Sequence, residues 1–391
     1  MTPITTTAEL AAFCDKLKGE PFVAVDTEFM RETTYWPKLC LIQAATATAE
    51  AVIDPLADGL DLEPFLAVMR DPAILKVFHA ARQDVEIFNN LKAMPTPLFD
   101  TQVAGMAAGF GEQIAYDALV RQMLKVEIDK SSRFTDWARR PLAESQLSYA
   151  LADVTHLAKL YPMLRARLEK EGRLVWVMDE MTALTDPANY DVDPDNAWRR
   201  LKPRRHTPKY LAVYKAVAAW RERTAQMRDQ PRGRILKDEA IDELATQAPT
   251  DAAGLDRLRS VPKGYSGSKF GPDLLEAVRE ALRDPEAYAP VVERPKPSNS
   301  PAAGAVVELL KVLLKARAED AGVASKLIAT VSDLEMIAND DDAETPALKG
   351  WRREAFGEDA LRIKRGELAL VLDGLRVRVV EVRRAPKASG A

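Results

Sequence analysis

The chain has 391 residues, of which 47% are hydrophobic and 29% are charged, so a fibrous or disordered protein is excluded and two or three domains are expected. Two cysteines are too few for a disulfide scaffold, and with only three histidines they argue against a structural zinc site. The sequence shows neither a signal peptide nor an apolar run of ~18 residues, so we expect a cytoplasmic protein without a membrane role. The formal net charge of −4 is the sum of three unlike parts: −11 over residues 1–198, +11 over residues 199–237 and −4 over residues 238–391.

Strand-like and helix-like patterns alternate in the first part of the chain. Short apolar runs predict four strands: PFVAVDTEF (21–29), LCLIQAAT (39–46), EAVIDPL (50–56) and ILKVFHA (74–80). Longer amphipathic runs predict three helices: LEPFLAVMRD (62–71), RQDVEIFNNL (82–91) and a long helix over 145–172. The close spacing of the first three strands predicts an antiparallel meander, so this part is an α/β layer with a small mixed sheet.

Two proline-bearing stretches, residues 186–206 and 284–303, are predicted to be linkers. They divide the chain into domains over 1–185, 207–283 and 302–385. The second and third segments are predicted to be helical, and a weak repeat at an offset of 92 pairs Ile235-Leu236 with Leu327-Ile328. The late stretch LALVLDGLRVRVVEV (368–382) predicts a strand pair, which departs from a purely helical module.

Acidic residues occur at three positions where a cation could be held. Asp26 and Glu28 end the first predicted strand, and side chains two apart on a strand leave the same face. Two adjacent carboxylates repel one another unless a cation lies between them, and Mg²⁺ prefers such oxygen ligands. Asp84 opens a helix directly after a strand, and Tyr149 and Asp153 lie four apart on one helix face. Taken singly, each acid is explained better as a cap or an exposed group than as a metal ligand.

In combination, these five residues resemble the three motifs of the DEDD exonucleases, and a tyrosine four residues before the last aspartate marks the DEDDy branch. The surrounding text is similar to the ribonuclease D family in four blocks: VDTEFMRETTYWPKLCLIQ (25–43), FHAARQDVEIF (78–88), FDTQVA (99–104) and DKSSRFTDWARRPLAESQLSYALADV (129–154). Residues 209–282 resemble an HRDC domain, with Trp220-Arg221, the Ile235-Leu236 step and a turn over 261–267. Residues 302–385 would be a divergent second copy.

The resemblance implies a fold and an activity. The fold would be an α/β ribonuclease H-like exonuclease domain, a mixed sheet flanked by helices, followed by two small all-helical HRDC-type domains. The activity would be that of a 3′–5′ exoribonuclease that releases nucleoside 5′-monophosphates with two divalent cations, Mg²⁺ or Mn²⁺. RNA would be the partner, in this family usually tRNA precursors.

The resemblance also implies residue roles. Asp26 would bridge both cations, Glu28 and Asp153 would complete one cation's ligands, and Asp84 would hold the other. Tyr149 is too weak a base at neutral pH, with an ordinary pKa of about 10, so we expect its hydroxyl to orient the attacking water. Asp100 is expected to be a structural acid or helix cap, and His79 a packed histidine.

The basic run over 199–237 predicts phosphate contacts, with a solvated helix face as the alternative. Candidate nucleic-acid-binding residues are Lys130, Arg133, Arg204 and Arg205. No GxxxxGK phosphate loop is present, which excludes a helicase and a nucleotide cofactor. Two alternatives stay open at this point: a DNA 3′–5′ exonuclease of the proofreading type, and a non-catalytic RNA-binding protein on the same scaffold.

Overall fold

A five-stranded mixed sheet organises the first part of the chain in a computed structural model that describes residues 2–129, 132, 135–291 and 301–382. The sheet has the order β3-β2-β1-β4-β5, in which β1, β4 and β5 run parallel and β2 is antiparallel to both of its neighbours. Its strands are β1 (Phe22–Met30), β2 (Lys38–Ala45), β3 (Glu50–Ile53), β4 (Leu75–Phe78) and β5 (Leu98–Asp100). The four predicted strands and the antiparallel meander are confirmed.

Helices cover both faces of the sheet, which is why the first half of β1 is a continuous apolar run. The helices of this part are α1 (Thr7–Leu17), α2 (Glu63–Arg70), α3 (Arg82–Asn90), α4 (Thr101–Ala107), α5 (Tyr116–Leu124), α6 (Glu144–Lys170) and α7 (Leu174–Leu184). The long helix α6 packs against β1 and β2 through buried residues that recur every three or four positions. The three predicted helices are confirmed.

The middle part of the chain is helical and has its own hydrophobic core. Its helices are α8 (Pro208–Arg228), α9 (Arg232–Ile235), α10 (Asp238–Gln247), α11 (Ala252–Asp256), α12 (Gly271–Arg283) and α13 (Pro285–Tyr288). Alanine, valine and aromatic side chains are buried around nearly the whole of α8, which therefore forms the centre of this part.

The two predicted linkers are more regular than the sequence indicates. Residues 186–206 contain two short 3₁₀ helices, Pro187–Asn189 and Pro194–Arg200, because Asp186 and Asp193 cap them. The expectation that residues 284–303 form only an extended spacer is wrong at its start, where α13 makes one turn. Pro285 occupies the first helical position, which needs no N–H donor, and the Asp284 side chain accepts from the Ala287 N–H. Residues 292–300 of this stretch lie outside the described residues.

The last part of the chain combines helices with a β-hairpin. Its elements are α14 (Pro301–Ala321), α15 (Ser325–Ile328), α16 (Val331–Asn339), α17 (Gly350–Arg352), α18 (Glu358–Lys364), β6 (Leu368–Asp373) and β7 (Arg376–Glu381). The hairpin confirms the strand pair predicted over 368–382, so this part is not all-helical. The repeat has a structural counterpart, because Ile235-Leu236 and Leu327-Ile328 are buried pairs at the ends of the one-turn helices α9 and α15.

The last part also packs directly against the first. Arg173 donates to the carbonyl oxygens of Ala321 at 2.5 Å and Gly322 at 3.3 Å, and Trp176 stacks on Trp351 with ring centroids 4.2 Å apart. Gly109 permits this approach, since a Cβ there would lie 2.8 Å from the Gly322 carbonyl oxygen. Among the described residues, no helix has the length and apolar character needed to cross a membrane.

Candidate active site

Three carboxylates meet where β1 emerges from the core beside α6. Asp26 and Glu28 leave the same face of β1, because successive side chains of a strand alternate between its faces. α6 lies across that face and contributes Asp153. One oxygen from each of the three carboxylates lies within 4.8 Å of the other two, and all three residues are half-buried. This cluster offers converging oxygen ligands.

Asp84 approaches the same region from α3. Thr27 lies between the two β1 acids in sequence, and its Oγ1 donates to Asp84 Oδ1 at 2.5 Å. Asp84 is buried, so this hydrogen bond fixes its carboxylate against the strand that carries Asp26. It lies outside the cluster of three but is close enough to Asp26 for each charge to disfavour the other.

Asp100 anchors the turn that leads into α3. Its Oδ1 caps α4 by accepting from the Gln102 N–H at 2.7 Å, and its two oxygens accept from the N–H groups of Ala80 and Ala81 at 3.0 and 2.8 Å. Ala80 has a φ of +59°, a conformation that a residue with a side chain adopts at a cost. The prediction of a structural acid and helix cap is confirmed, and the same carboxylate holds the strained turn two residues before α3.

The electrostatics of the site favour a cation. Burial and the Asp153 carboxylate raise the pKa of Asp26 to about 8. Burial, with the charges of the three other acids, raises the pKa of Glu28 to about 9. Burial and the Asp26 charge likewise raise the pKa of Asp84. Buried carboxylates in mutual repulsion are stabilised when a divalent cation takes their oxygens as ligands, so the donor set fits a hard divalent metal.

A cavity of about 430 Å³ opens beside the carboxylates. Asp26, Asp153 and Tyr149 all line it. Tyr149 lies one helical turn before Asp153 on α6, and its ring centroid is 6.2 Å from that of the buried Trp137. The structure therefore brings four of the five motif residues to one cavity or cluster and holds Asp84 against the adjacent strand.

Tyr116 is a site residue that the sequence interpretation missed. It opens α5 and lines the cavity, and its hydroxyl donates to the backbone carbonyl oxygen of Asp153. Burial, with the Asp153 and Asp26 charges, raises its pKa, so it remains a neutral hydrogen-bond donor at ordinary pH. No spacing rule links Tyr116 to Asp153, because the contact joins two different helices. In the sequence, Tyr116 is marked as a possible site residue only by being an aromatic residue at the start of a helix.

His79 lines the same cavity but is held by the protein. Its Nε2 donates to the Ile114 carbonyl oxygen at 3.1 Å, and its Nδ1 lies 2.9 Å from Thr101 Oγ1. Burial lowers its pKa, which favours the neutral ring. The prediction of a packed histidine rather than a metal ligand agrees with these contacts.

The predicted nucleic-acid-binding residues lie away from this cavity or outside the described residues. Lys130 and Arg133 lie outside the described residues. Arg204 and Arg205 are exposed on the segment before α8, and an Arg204 guanidinium nitrogen is 3.8 Å from Asp242. Neither of these two arginines lines the cavity beside the carboxylates.

Comparison with known proteins agrees with this geometry. Residues 1–169 match the 3′–5′ exonuclease family, and residues 210–278 match the HRDC domain. The chain is 52% identical to a ribonuclease D of Nitrobacter hamburgensis over 387 residues, which is 98% of this chain and 100% of that protein. A ribonuclease D of Granulibacter bethesdensis is 49% identical over 380 residues, 97% of this chain and 96% of that protein.

A solved structure extends the comparison to the whole fold. The crystal structure of Escherichia coli RNase D, described as an exoribonuclease involved in structured RNA processing, superposes with a TM-score of 0.80 at 30% identity. The match covers 93% of this chain and 99% of that one. A protein from Bifidobacterium adolescentis shares the fold with a TM-score of 0.66 at 20% identity.

Proposed function

Since this chain belongs to the ribonuclease D family and is a 3′–5′ exoribonuclease, we propose that it releases nucleoside 5′-monophosphates by using two divalent cations. The observation that carries the proposal is the convergence of Asp26, Glu28 and Asp153 within 4.8 Å of one another. Divalent cations bound there would stabilise negative charge on the attacking and leaving oxygens of a phosphodiester.

We assign the ligands from this geometry and the family pattern. Asp26 would hold both cations, as the family pattern implies; its carboxylate lies close enough to the other acids that the Asp153 charge raises its pKa and its own charge raises the pKa of Asp84. Glu28 and Asp153 would complete one ligand set with it, in agreement with the cluster of three carboxylates. Asp84 would hold the second cation, with its carboxylate oriented by the hydrogen bond from the Thr27 hydroxyl.

The remaining residues of the cavity position the substrate and water. Tyr149 orients the attacking water through its hydroxyl, because it faces the same cavity as Asp26 and Asp153. Tyr116 acts indirectly, since its hydroxyl holds the backbone of Asp153. The cavity of about 430 Å³ has the size of a small-molecule site and would accommodate the 3′-terminal nucleotide.

We further propose that tRNA precursors are the physiological substrates and Mg²⁺ or Mn²⁺ the cations. The helical HRDC region and the basic run over 199–237 support binding of RNA beyond the reacting end. We propose a cytoplasmic location, in keeping with two buried cysteines that form no disulfide.

We also propose three domains, over residues 1–185, 207–283 and 302–385, of which residues 383–385 lie outside the described part. Each segment has its own hydrophobic core. Single residues of one segment also pack into the core of another: Leu327 of the third segment packs into the first core, and Tyr35 of the first segment packs into the second core. The boundaries therefore separate units that are joined by side-chain packing.

Three RNA and DNA substrates test the proposal together. A 3′-extended tRNA, an unstructured RNA and a DNA of matched sequence are each digested, and the products are identified by mass. We expect nucleoside 5′-monophosphates from both RNAs, a lower KM for the tRNA, and little release from DNA. Nucleoside 3′-monophosphates would contradict the proposed chemistry, and equal KM values would contradict the proposed substrate.

A further inference from the structure

A second, smaller cavity of about 140 Å³ lies where the exonuclease part meets the helical part, and four arginines line it. Arg31 follows the end of β1, and Arg82 begins α3. Arg200 ends the 3₁₀ helix Pro194–Arg200, and Arg232 begins α9. The exonuclease part thus contributes two guanidinium groups to one small space, the connecting segment 186–206 contributes that of Arg200, and the HRDC part contributes that of Arg232.

Acidic residues neutralise two of these arginines. Arg31 forms a two-point pair with Glu86, with both N–O distances at 3.2 Å. Arg232 forms another with the buried Glu222 and also donates to the Tyr35 hydroxyl at 2.9 Å. These pairs hold the walls of the cavity, and Tyr35 connects the two parts of the chain.

The other two arginines have no such partner. Within the described residues, the side chains of Arg82 and Arg200 form no hydrogen bond and no ion pair, and both residues are exposed and line the cavity. The four guanidinium groups and the two carboxylates, Glu86 and Glu222, leave a net charge of about +2. A guanidinium fork matches the oxygens of a phosphate, so the cavity has the chemistry of a phosphate site.

The position of the cavity relates it to the carboxylates. Asp26 lines the first cavity and Arg31 the second, and the five-residue step between them spans at most about 17 Å. Glu28 lies between them on the same strand, and Arg82 precedes Asp84 by two residues on α3. An RNA strand with its 3′-terminal nucleotide in the first cavity would pass the carboxylates before reaching these arginines.

We propose that this second cavity binds a backbone phosphate of the RNA strand on the 5′ side of the scissile bond, with Arg82 and Arg200 as its ligands. The inference rests on the exoribonuclease function and adds a subsite that joins the exonuclease part to the HRDC part. Such a subsite lowers KM only for strands long enough to reach it. It leaves the chemical step unchanged.

The first test compares KM across RNA lengths. Arg82→Gln and Arg200→Gln remove the charges and approximate the side-chain length, and Arg223→Gln is the control from the same basic run, since Arg223 pairs with Asp195 at 2.9 Å away from the cavity. We expect each test variant to raise KM about tenfold on long strands, from the loss of a charged hydrogen bond. The dinucleotide KM, kcat and melting temperature should not change. A KM increase shared by the dinucleotide, or absent at every length, would overturn the proposal.

The second test locates the phosphate. A neutral methylphosphonate is placed at each linkage in turn of an otherwise ordinary RNA. In the wild type we expect an increase in KM of about tenfold at one upstream linkage, and in Arg82→Gln and Arg200→Gln we expect that increase to disappear. An increase that persists in both variants would overturn the assignment.

Adding inorganic phosphate distinguishes a cavity that binds a free anion from one that binds a phosphate of the RNA backbone. If phosphate raises the melting temperature of the wild type alone while the methylphosphonate effect is the same in all variants, the cavity binds a free anion and the proposal is wrong. Failure of the proposed function would appear differently, as a wild-type chain that does not degrade the unmodified RNA at all.

Discussion

At the scale of single residues, the site depends on carboxylates that lie close enough to repel one another. The pKa values of Asp26, Glu28 and Asp84 are all raised, because burial and neighbouring negative charge both disfavour ionisation. A divalent cation would replace this repulsion with attraction. The cost of assembling the site in the absence of metal should therefore be measurable as lost stability.

Without a divalent cation, the free energy of unfolding should fall as the pH rises. The ordinary pKa values of Asp26 and Glu28 are 3.8 and 4.5, whereas in the folded chain they are about 8 and about 9. An acid with a raised pKa contributes stability that is fully present below the unfolded value and is lost as the pH rises through the folded value. Melting temperatures in EDTA should therefore fall between about pH 5 and about pH 9. Mg²⁺ should restore stability at the upper end, and a level profile in EDTA would contradict the raised pKa values.

Asp26→Asn should abolish turnover and leave the fold intact, because it removes one charge and keeps the shape of the side chain. We expect less than about a tenth of the wild-type rate, which corresponds to at least ~1.4 kcal/mol of barrier. In EDTA at about pH 8, the melting temperature of the variant should exceed that of the wild type, because the Asp26 charge no longer repels the neighbouring carboxylates. Asp58→Asn, at an exposed position, is the matched control for both measurements. A variant that retains more activity would show that Asp26 does not bridge the cations.

At this scale, much of the site followed from local periodicity. The shared face of Asp26 and Glu28 follows from the two-residue period of a strand, and the spacing of Tyr149 and Asp153 follows from the helix. Tyr116 and Thr27 could not be predicted, because their contacts with Asp153 and Asp84 join elements that only tertiary packing brings together.

Between elements, the buried pair Glu222–Arg232 fixes the turn after β1 against α8 and α9. Glu222 is 1% exposed and Arg232 is one-third exposed. Burial raises the pKa of Glu222, but the hydrogen bonds from Arg232 and Tyr35 outweigh it and lower the pKa overall. The ionised pair is therefore a stable component of this junction.

Glu222→Gln should destabilise the chain by about 2–3 kcal/mol, because it leaves Arg232 without its counter-charge. The expected loss lies below that of a fully buried pair, since water still screens part of the Arg232 side chain. Urea unfolding measures the change, and Glu276→Gln on the surface of α12 is the control, which should stay within about 0.5 kcal/mol. Equal stability of the two variants would mean that the junction pair contributes no more than a surface pair.

Element boundaries were predictable where the pattern was periodic and uncertain where proline dominated. Four of the five strands of the large sheet, and α6, were predicted within a few residues, whereas β5 and α13 were missed. A proline count predicts no helix, but Pro285 at the first helical position with a capping Asp284 starts one. The position of a proline relative to a capping residue therefore matters more than the number of prolines.

Over the whole molecule, the charge pattern separates an acidic catalytic part from a basic segment. If Arg204 and Arg205 contact the RNA backbone, neutralising both to glutamine should reduce the slope of log K against log salt by about 1.4, at ~0.7 for each phosphate. Binding is measured in EDTA, and Lys16→Gln with Lys18→Gln at the end of α1 is the charge-matched control. Equal slopes for the two double variants would assign the arginines to a solvated surface.

The central claim is that divalent cations at the carboxylate cluster drive removal of nucleotides from the 3′ end of RNA. A time course on a 5′-labelled RNA, run with Mg²⁺, with excess EDTA and with Mg²⁺ added back after EDTA, tests it most directly. We expect a ladder that shortens stepwise from the 3′ end in Mg²⁺, no shortening in EDTA, and recovery when Mg²⁺ is restored. Undiminished shortening in EDTA, or short labelled fragments from internal cuts at the earliest times, would contradict the claim.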